Sequence, residues 1–242
     1  MLFGLFMGDW TLIPVVIAMI FTLIAQFNVK NTFEKYKKIR NKRALTGAEA
    51  ARRILDANGL SHIRVEQVRG TLTDHYDPRD NVIRLSESVY SSPTAAAVGV
   101  AAHEAGHAIQ HAQKYLPIKI RAAIIPITNI GSKLSMPLFL IGSLLAYATA
   151  IPSPLAAPLM LAGIVCFSFS TLFQLVTLPT EFNASARAMA TLRGTAMLDA
   201  EELTAARKVL TAAALTYVAA LAYSLIYLLR LILIFNGNRN RR

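Results

Sequence analysis

The chain has 242 residues, 54% of them hydrophobic and 16% charged, with a formal net charge of +11. A hydrophobic share above the roughly 45–50% of soluble domains, gathered into uncharged blocks, excludes an ordinary soluble enzyme. The single cysteine, Cys166, excludes an internal disulfide and reads as a small residue within an apolar block.

In chain order, the N-terminal MLFGLFMGDW has neither a basic residue before the first apolar run nor a small-residue cleavage site after it. It is read as a retained anchor rather than a removed signal, with Trp10 suited to the interfacial belt. Leu12 to Phe27 is uncharged, as are Leu134 to Ile151, Leu155 to Leu178 and Ala212 to Leu229; Arg230 ends the last block. Each approaches the roughly 20 apolar residues a helix needs to cross about 30 Å of hydrocarbon. The expectation is a mainly α, integral membrane protein with about four transmembrane helices and a small α+β cytoplasmic portion.

The run VKNTFEKYKKIRNKR after the first block holds seven Lys/Arg against one Glu. It has no interleaved aromatics at stacking spacing, so a nucleic-acid partner is not expected. The positive-inside rule explains it and places Lys30 onward in the cytoplasm. Anionic lipid headgroups are then the natural electrostatic partner. Four crossings would leave the basic tail NGNRNRR outside, against that rule, so the side of the tail stays open; Arg230 is read as snorkelling toward the interface, or the last block does not span simply.

The organisation expected is an anchor over 1–28, a cytoplasmic segment over 29–122, a transmembrane hairpin over 123–180, a further helical region over 181–208, and a last transmembrane helix with its tail over 209–242. Within the cytoplasmic segment, TGAEAARRILDANG reads as an amphipathic helix. Thr46 and Glu49 make a capping-box pattern, and Gly59 stands where a C-terminal cap needs positive φ. HIRVEQVRG and NVIRLS read as strands, with TDHYDPRD as a turn between them. Ser92 is the expected N-cap of the next helix, with Pro93 at its first position. A segment of this size is small for an independent core and is expected to lean on the membrane helices or the bilayer.

That next helix carries VAAHEAGHAIQH, with three of the chain's five histidines. His103 and His107 are four residues apart and share a helix face, so both imidazoles can reach one ion. Glu104 is turned about 100° away. It can take a proton from water beside the metal without displacing a histidine. The small flanking residues favour burial, where a His-Glu-His cluster without metal would need other partners. His111 lies eight residues from His103, about 12 Å along the axis, and cannot share that ion. The metzincin spacing also fails, since Gln110 and Gln113 occupy its Gly and His places. From Ala105 to Thr180 there is no Asp or Glu. Glu181 is the first carboxylate after Glu104, and two crossings return it to the side of the motif, so it is the expected third ligand. A helix-N-terminal carboxylate, with Thr180 near the cap, is a compatible reading of the same residue.

AAHEAGHAIQH, TDHYDPRDNVIRLS and LPTEFNASARA, in that order, resemble the YugP-like neutral zinc metallopeptidases of bacterial membranes, and TGAEAARRILDANGL fits the same pattern. The resemblance runs from about Thr46 to the end. It implies a gluzincin-type, zincin-like peptidase with one Zn2+ per chain held by His103, His107 and Glu181, and Glu104 as catalytic base. The layout is also similar to the HtpX and prenyl-protease membrane peptidases. Those carry an Asp four residues after the ligand Glu, where this chain has Ser185, so that supporting role is not transferred.

The function expected is a membrane-embedded zinc endopeptidase of the bacterial cytoplasmic membrane. Its site faces the cytoplasm, and its substrates are membrane-associated or unfolded polypeptides. An oligomer or a partner in a membrane complex is compatible with it. The alternative is a non-catalytic zinc-binding scaffold of a membrane complex. Glu104 argues against that, since structural zinc needs no base. A transporter would place ionisable residues inside the apolar blocks, and only Arg230, at the end of one, is there. His75 or Tyr76 could stabilise an oxyanion or simply serve the turn. Asn183 and Arg187 could do similar work or face solvent or headgroups. His111 either orients a ligand or faces solvent, His62 is a surface residue, and NVIRLS could be an edge strand that pairs with an extended substrate.

Overall fold

The structure is a computed structural model and describes residues 10–148 and 153–239. The start of the anchor, the end of the second apolar block at Ile151 and the last three residues of the tail lie outside the described residues. The chain forms two compact units. One gathers the described parts of Met1–Leu23, Ile120–Leu178 and Tyr217–Arg242; the other gathers Ile24–Lys119 and Pro179–Thr216.

Among the described residues, four helices are long and apolar enough to cross a membrane. They are α1 (Leu12–Tyr36), α5 (Leu116–Ala148), α6 (Ala156–Gly194) and α7 (Ala200–Arg239). The protein is thus a mainly α membrane protein with one small sheet. All four helices outrun the apolar blocks. α6 and α7 have 39 and 40 residues, about 60 Å at 1.5 Å per residue, roughly twice a hydrocarbon core. α6 continues through Pro179, and α5 contains Pro126 and Pro137.

In the first unit the helices touch through small residues. A Cβ on Gly131 would lie 2.8 Å from the Cys166 carbonyl oxygen, and one on Gly163 would lie 2.8 Å from that of Ser135. The Ser135 hydroxyl donates to the Gly163 carbonyl at 3.0 Å. Close backbone approach of this kind is how helices associate where no hydrophobic force separates them from lipid. Phe139, Met160, Ile164 and Leu231 pack together, while Ile13, Ile17, Leu140, Leu144 and Leu161 are exposed, as hydrocarbon-facing side chains are.

The second unit holds the polar chemistry. Its first helix, α2 (Gly47–Ala57), starts at a complete capping box between Thr46 and Glu49, and Gly59 has φ +71°, both as expected. Arg64–Val68 (β1), His75–Asp77 (β2) and Val82–Ser86 (β3) form a sheet ordered β1-β3-β2. β1 runs parallel to β3 and β2 antiparallel to it. Two expectations are corrected here. The segment TDHYDPRD is not only a turn, because residues 75–77 pair with β3. NVIRLS is the central strand, with partners on both sides, and so is no free edge for a substrate.

A short helix, α3 (Glu87–Tyr90), leads to α4 (Ala95–Ala112), which carries the histidines. The N-cap of α4 is Thr94, whose hydroxyl accepts from Ala97 N, rather than Ser92. Asn41 N donates to the Pro93 carbonyl and Ala95 N to that of Ile39. These bonds keep Pro93 in extended chain, so the helix starts after it. Ile54, Leu55, Ile63, Ile83, Leu85 and Leu192 are among the side chains of the core around α4.

Candidate metal centre

α4 is almost entirely small or apolar, and alanine is the best helix former. The same smallness lets other chain approach. A Cβ on Gly106 would lie 2.7 Å from the Ala184 carbonyl oxygen, and one on Gly99 would lie 3.0 Å from Ala206 Cβ. The glycine inside HEAGH is therefore where the Glu181 segment of α6 passes closest.

That passage brings together His103, His107 and Glu181. Glu181 Oε2 is 3.3 Å from His103 Nε2 and 3.4 Å from His107 Nε2. The two rings stand edge to face, with centroids 4.7 Å apart and planes at 84°. One donor atom from each of the three residues lies within 4.8 Å of the others. Zinc bonds of about 2.0–2.1 Å in tetrahedral geometry put neighbouring ligand atoms about 3.3–3.4 Å apart, and the two His–Glu separations match that. The side chains are 13%, 12% and 3% exposed, so water is largely displaced. The donor set, its spacing and its burial fit a zinc ion.

The far nitrogens of both rings have partners. His103 Nδ1 is 3.1 Å from Ser185 Oγ, and His107 Nδ1 is 3.0 Å from Gln110 Oε1. The Ser185 hydroxyl, four residues after Glu181, therefore stands behind His103. Gln110 also donates from Nε2 to the Thr180 carbonyl at 2.8 Å and to Asn183 Oδ1 at 2.9 Å. It is fully buried. Reading it only as a failed metzincin glycine missed this role. The available signal was its place three residues after His107, on the same helix face.

Glu104 is buried. Asp74 Oδ1 accepts from Ser86 N at 2.7 Å and from Ser86 Oγ at 3.0 Å. Burial pushes the Asp74 carboxyl above its ordinary range against those hydrogen bonds, and the Glu104 carboxylate adds to the rise. His75 is exposed, with Nδ1 2.8 Å from the Thr73 carbonyl. Tyr76 is half-buried and meets His111 edge to face at 5.5 Å; burial raises its phenol above the ordinary value. This ring contact ties β2 to the motif helix and gives His111 a place outside the three-residue cluster. His62 is exposed. Asn183 and Arg187 are tied within the protein. Arg187 Nε donates to Asn183 Oδ1 at 2.7 Å, its Nη1 donates to Gln113 Oε1 at 2.6 Å, and its guanidinium lies 5.9 Å from the Tyr115 ring centre.

Comparison with known proteins agrees in kind. The profile of a family described as "putative neutral zinc metallopeptidase" matches residues 11–236. A protein of Bacillus subtilis (strain 168) described as "putative membrane protease YugP" is 48% identical over 216 residues, which cover 89% of this chain and 92% of that protein. No solved structure matches the chain.

Proposed function

The chain belongs to this neutral zinc metallopeptidase family, and on that premise we propose that it is a membrane-embedded gluzincin-type endopeptidase, with one zinc held by His103, His107 and Glu181 and with Glu104 as general base. The observation that carries the reading is the meeting of three donors, a buried carboxylate from α6 and two largely covered imidazoles from α4, at the spacing a tetrahedral zinc requires. When bound, zinc polarises a carbonyl and lowers the pKa of nearby water. Glu104 takes a proton from the attacking water as its oxygen bonds to the peptide carbon. It then delivers that proton to the amide nitrogen as the C–N bond breaks. Ser185 and Gln110 hold the two imidazoles in place from behind.

The substrates are membrane-associated or unfolded polypeptides, in line with the membrane-protease description of the relative. The site faces the cytoplasm, a reading supported by the basic run that follows the first apolar block.

Metal content and proteolysis of purified protein test this together. Wild type should hold about one zinc, as a three-ligand catalytic site does. Glu104→Gln should keep the metal and lose cleavage of an unfolded protein by about 10²–10⁴-fold. Glu181→Ala should lose the metal. Normal zinc content in Glu181→Ala would remove Glu181 from the ligand set, and full activity in Glu104→Gln would remove its role as base.

A further inference from the structure

Each hydrogen bond behind His107 has a direction, and the directions are forced. A peptide carbonyl can only accept, so the Gln110 amide atom 2.8 Å from the Thr180 oxygen must be its nitrogen. A guanidinium can only donate, so the Asn183 amide atom 2.7 Å from Arg187 Nε must be its oxygen. That same oxygen accepts from Gln110 Nε2 at 2.9 Å. Two independent anchors, Thr180 and Arg187, thus leave only Gln110 Oε1 to face His107, 3.0 Å from Nδ1. An oxygen with no proton of its own requires Nδ1 to carry the hydrogen. Nε2, on the Glu181 side, is then the nitrogen left to bind a metal.

We propose that Gln110 is a positioning residue for His107, and that Asn183 and Arg187 set its orientation, so that a one-way hydrogen-bond chain from Arg187 fixes which imidazole nitrogen faces the metal centre. Gln110 reaches no substrate; it acts through the ring. A fully buried amide with all three of its contacts made has no alternative arrangement without leaving polar groups unpaired, which makes the orientation rigid. The same bonds join α4 to α6 beside Glu181. Partners behind a metal-binding histidine typically govern metal affinity by about 10–100-fold. The inference rests on the reading of His103, His107 and Glu181 as ligands.

Zinc affinity of the full chain in detergent, by competition with a chromophoric chelator, is the test. Gln110→Leu should weaken zinc binding by about 10–100-fold. Asn183→Leu should weaken it in the same direction. Asn183→Asp keeps the acceptor that both Gln110 and Arg187 need, and should stay closer to wild type than Asn183→Leu. The Asn183 pair carries the affinity test if Gln110→Leu fails to fold, and a merely structural role would not fix which His107 nitrogen is metallated. Nitrogen-15 spectra of zinc-loaded wild type should show His107 protonated at Nδ1 and metallated at Nε2. If wild type takes up no zinc, the ligand reading itself falls. If wild type binds zinc while Gln110→Leu binds it equally well, or His107 is metallated through Nδ1, the positioning role alone is overturned.

Discussion

At the scale of single residues, the tightest constraint on the site is a missing side chain. Any Cβ at Gly106 would meet the Ala184 backbone oxygen at 2.7 Å, and backbone cannot step aside as a flexible side chain can. Gly106→Val is therefore expected to cost about 1–3 kcal/mol by overpacking and to part α4 from the Glu181 segment, lowering thermal stability and zinc affinity together. Asp74 allows a separate test. Its Oδ1 accepts from Ser86 N and, with Oδ2 equally near at 3.0 Å, from Ser86 Oγ, and Asn keeps one such oxygen without the charge. Asp74→Asn should be as stable as wild type or more so near neutral pH, whereas Asp74→Ala, which strands the Ser86 N–H, should lose about 1–3 kcal/mol. Because the folded carboxyl binds its proton more tightly than the unfolded one, the charged form is what burdens folding. Any advantage of Asp74→Asn should shrink as pH falls through that raised pKa, which denaturant titrations at several pH values would record.

At the scale of elements, the start of α2 was legible, because its cap is a contact between residues three apart. The Thr46–Glu49 box of α2 is in the sequence pattern and in the structure. α7 begins at a similar reciprocal pair, Asp199 with Glu202, and Lys42 adds an ion pair to Asp199 at 2.7 Å. Thr46→Ala should cost about 1 kcal/mol, read as a fall in the unfolding midpoint. Hydrogen bonds from Thr46 hold Glu49 below the ordinary carboxyl range, and the backbone of Glu202 with Lys42 does the same for Asp199. Groups with depressed pKa stabilise the fold above the unfolded values and lose that contribution as pH falls through the folded ones. Thermal stability should therefore drop on acidification from about pH 5 downward, through the ordinary carboxyl range near 4. Elements that depend on distant partners were less legible. The stretch 74–80 carries the Asp and Pro signals of a turn, yet residues 75–77 form a strand because β3 offers them an edge. The start of α4 moved from Ser92 to Thr94 because residues 39–41 bind the chain just before it.

At the scale of the whole molecule, the membrane character was legible and the helix lengths were not. Loss of charge marks where hydrocarbon can be crossed. It does not mark where a helix stops, since backbone hydrogen bonding continues into polar sequence, as in α6 past Pro179 to Gly194. Orientation is open to a direct measurement. Cysteines placed at the exposed positions Arg69 and Glu87, after Cys166→Ala, should resist an impermeant maleimide in intact cells and react once the membrane is opened. Labelling in intact cells would place these residues outside and reverse the proposed topology.

Alone, the sequence determined what neighbouring residues decide: the apolar blocks, the α2 cap, the histidine pair one turn apart. It also pointed to Glu181, because a long carboxylate-free interval left few candidates. Only the tertiary structure decided the strand order, the close pass at Gly106 and the hydrogen-bond directions running from Arg187 to His107. Each of these depends on groups far apart in the chain. Local propensity and periodicity carry no information about which distant partner a side chain will meet, and that partner is what turns a helix with two histidines into a site with a defined geometry.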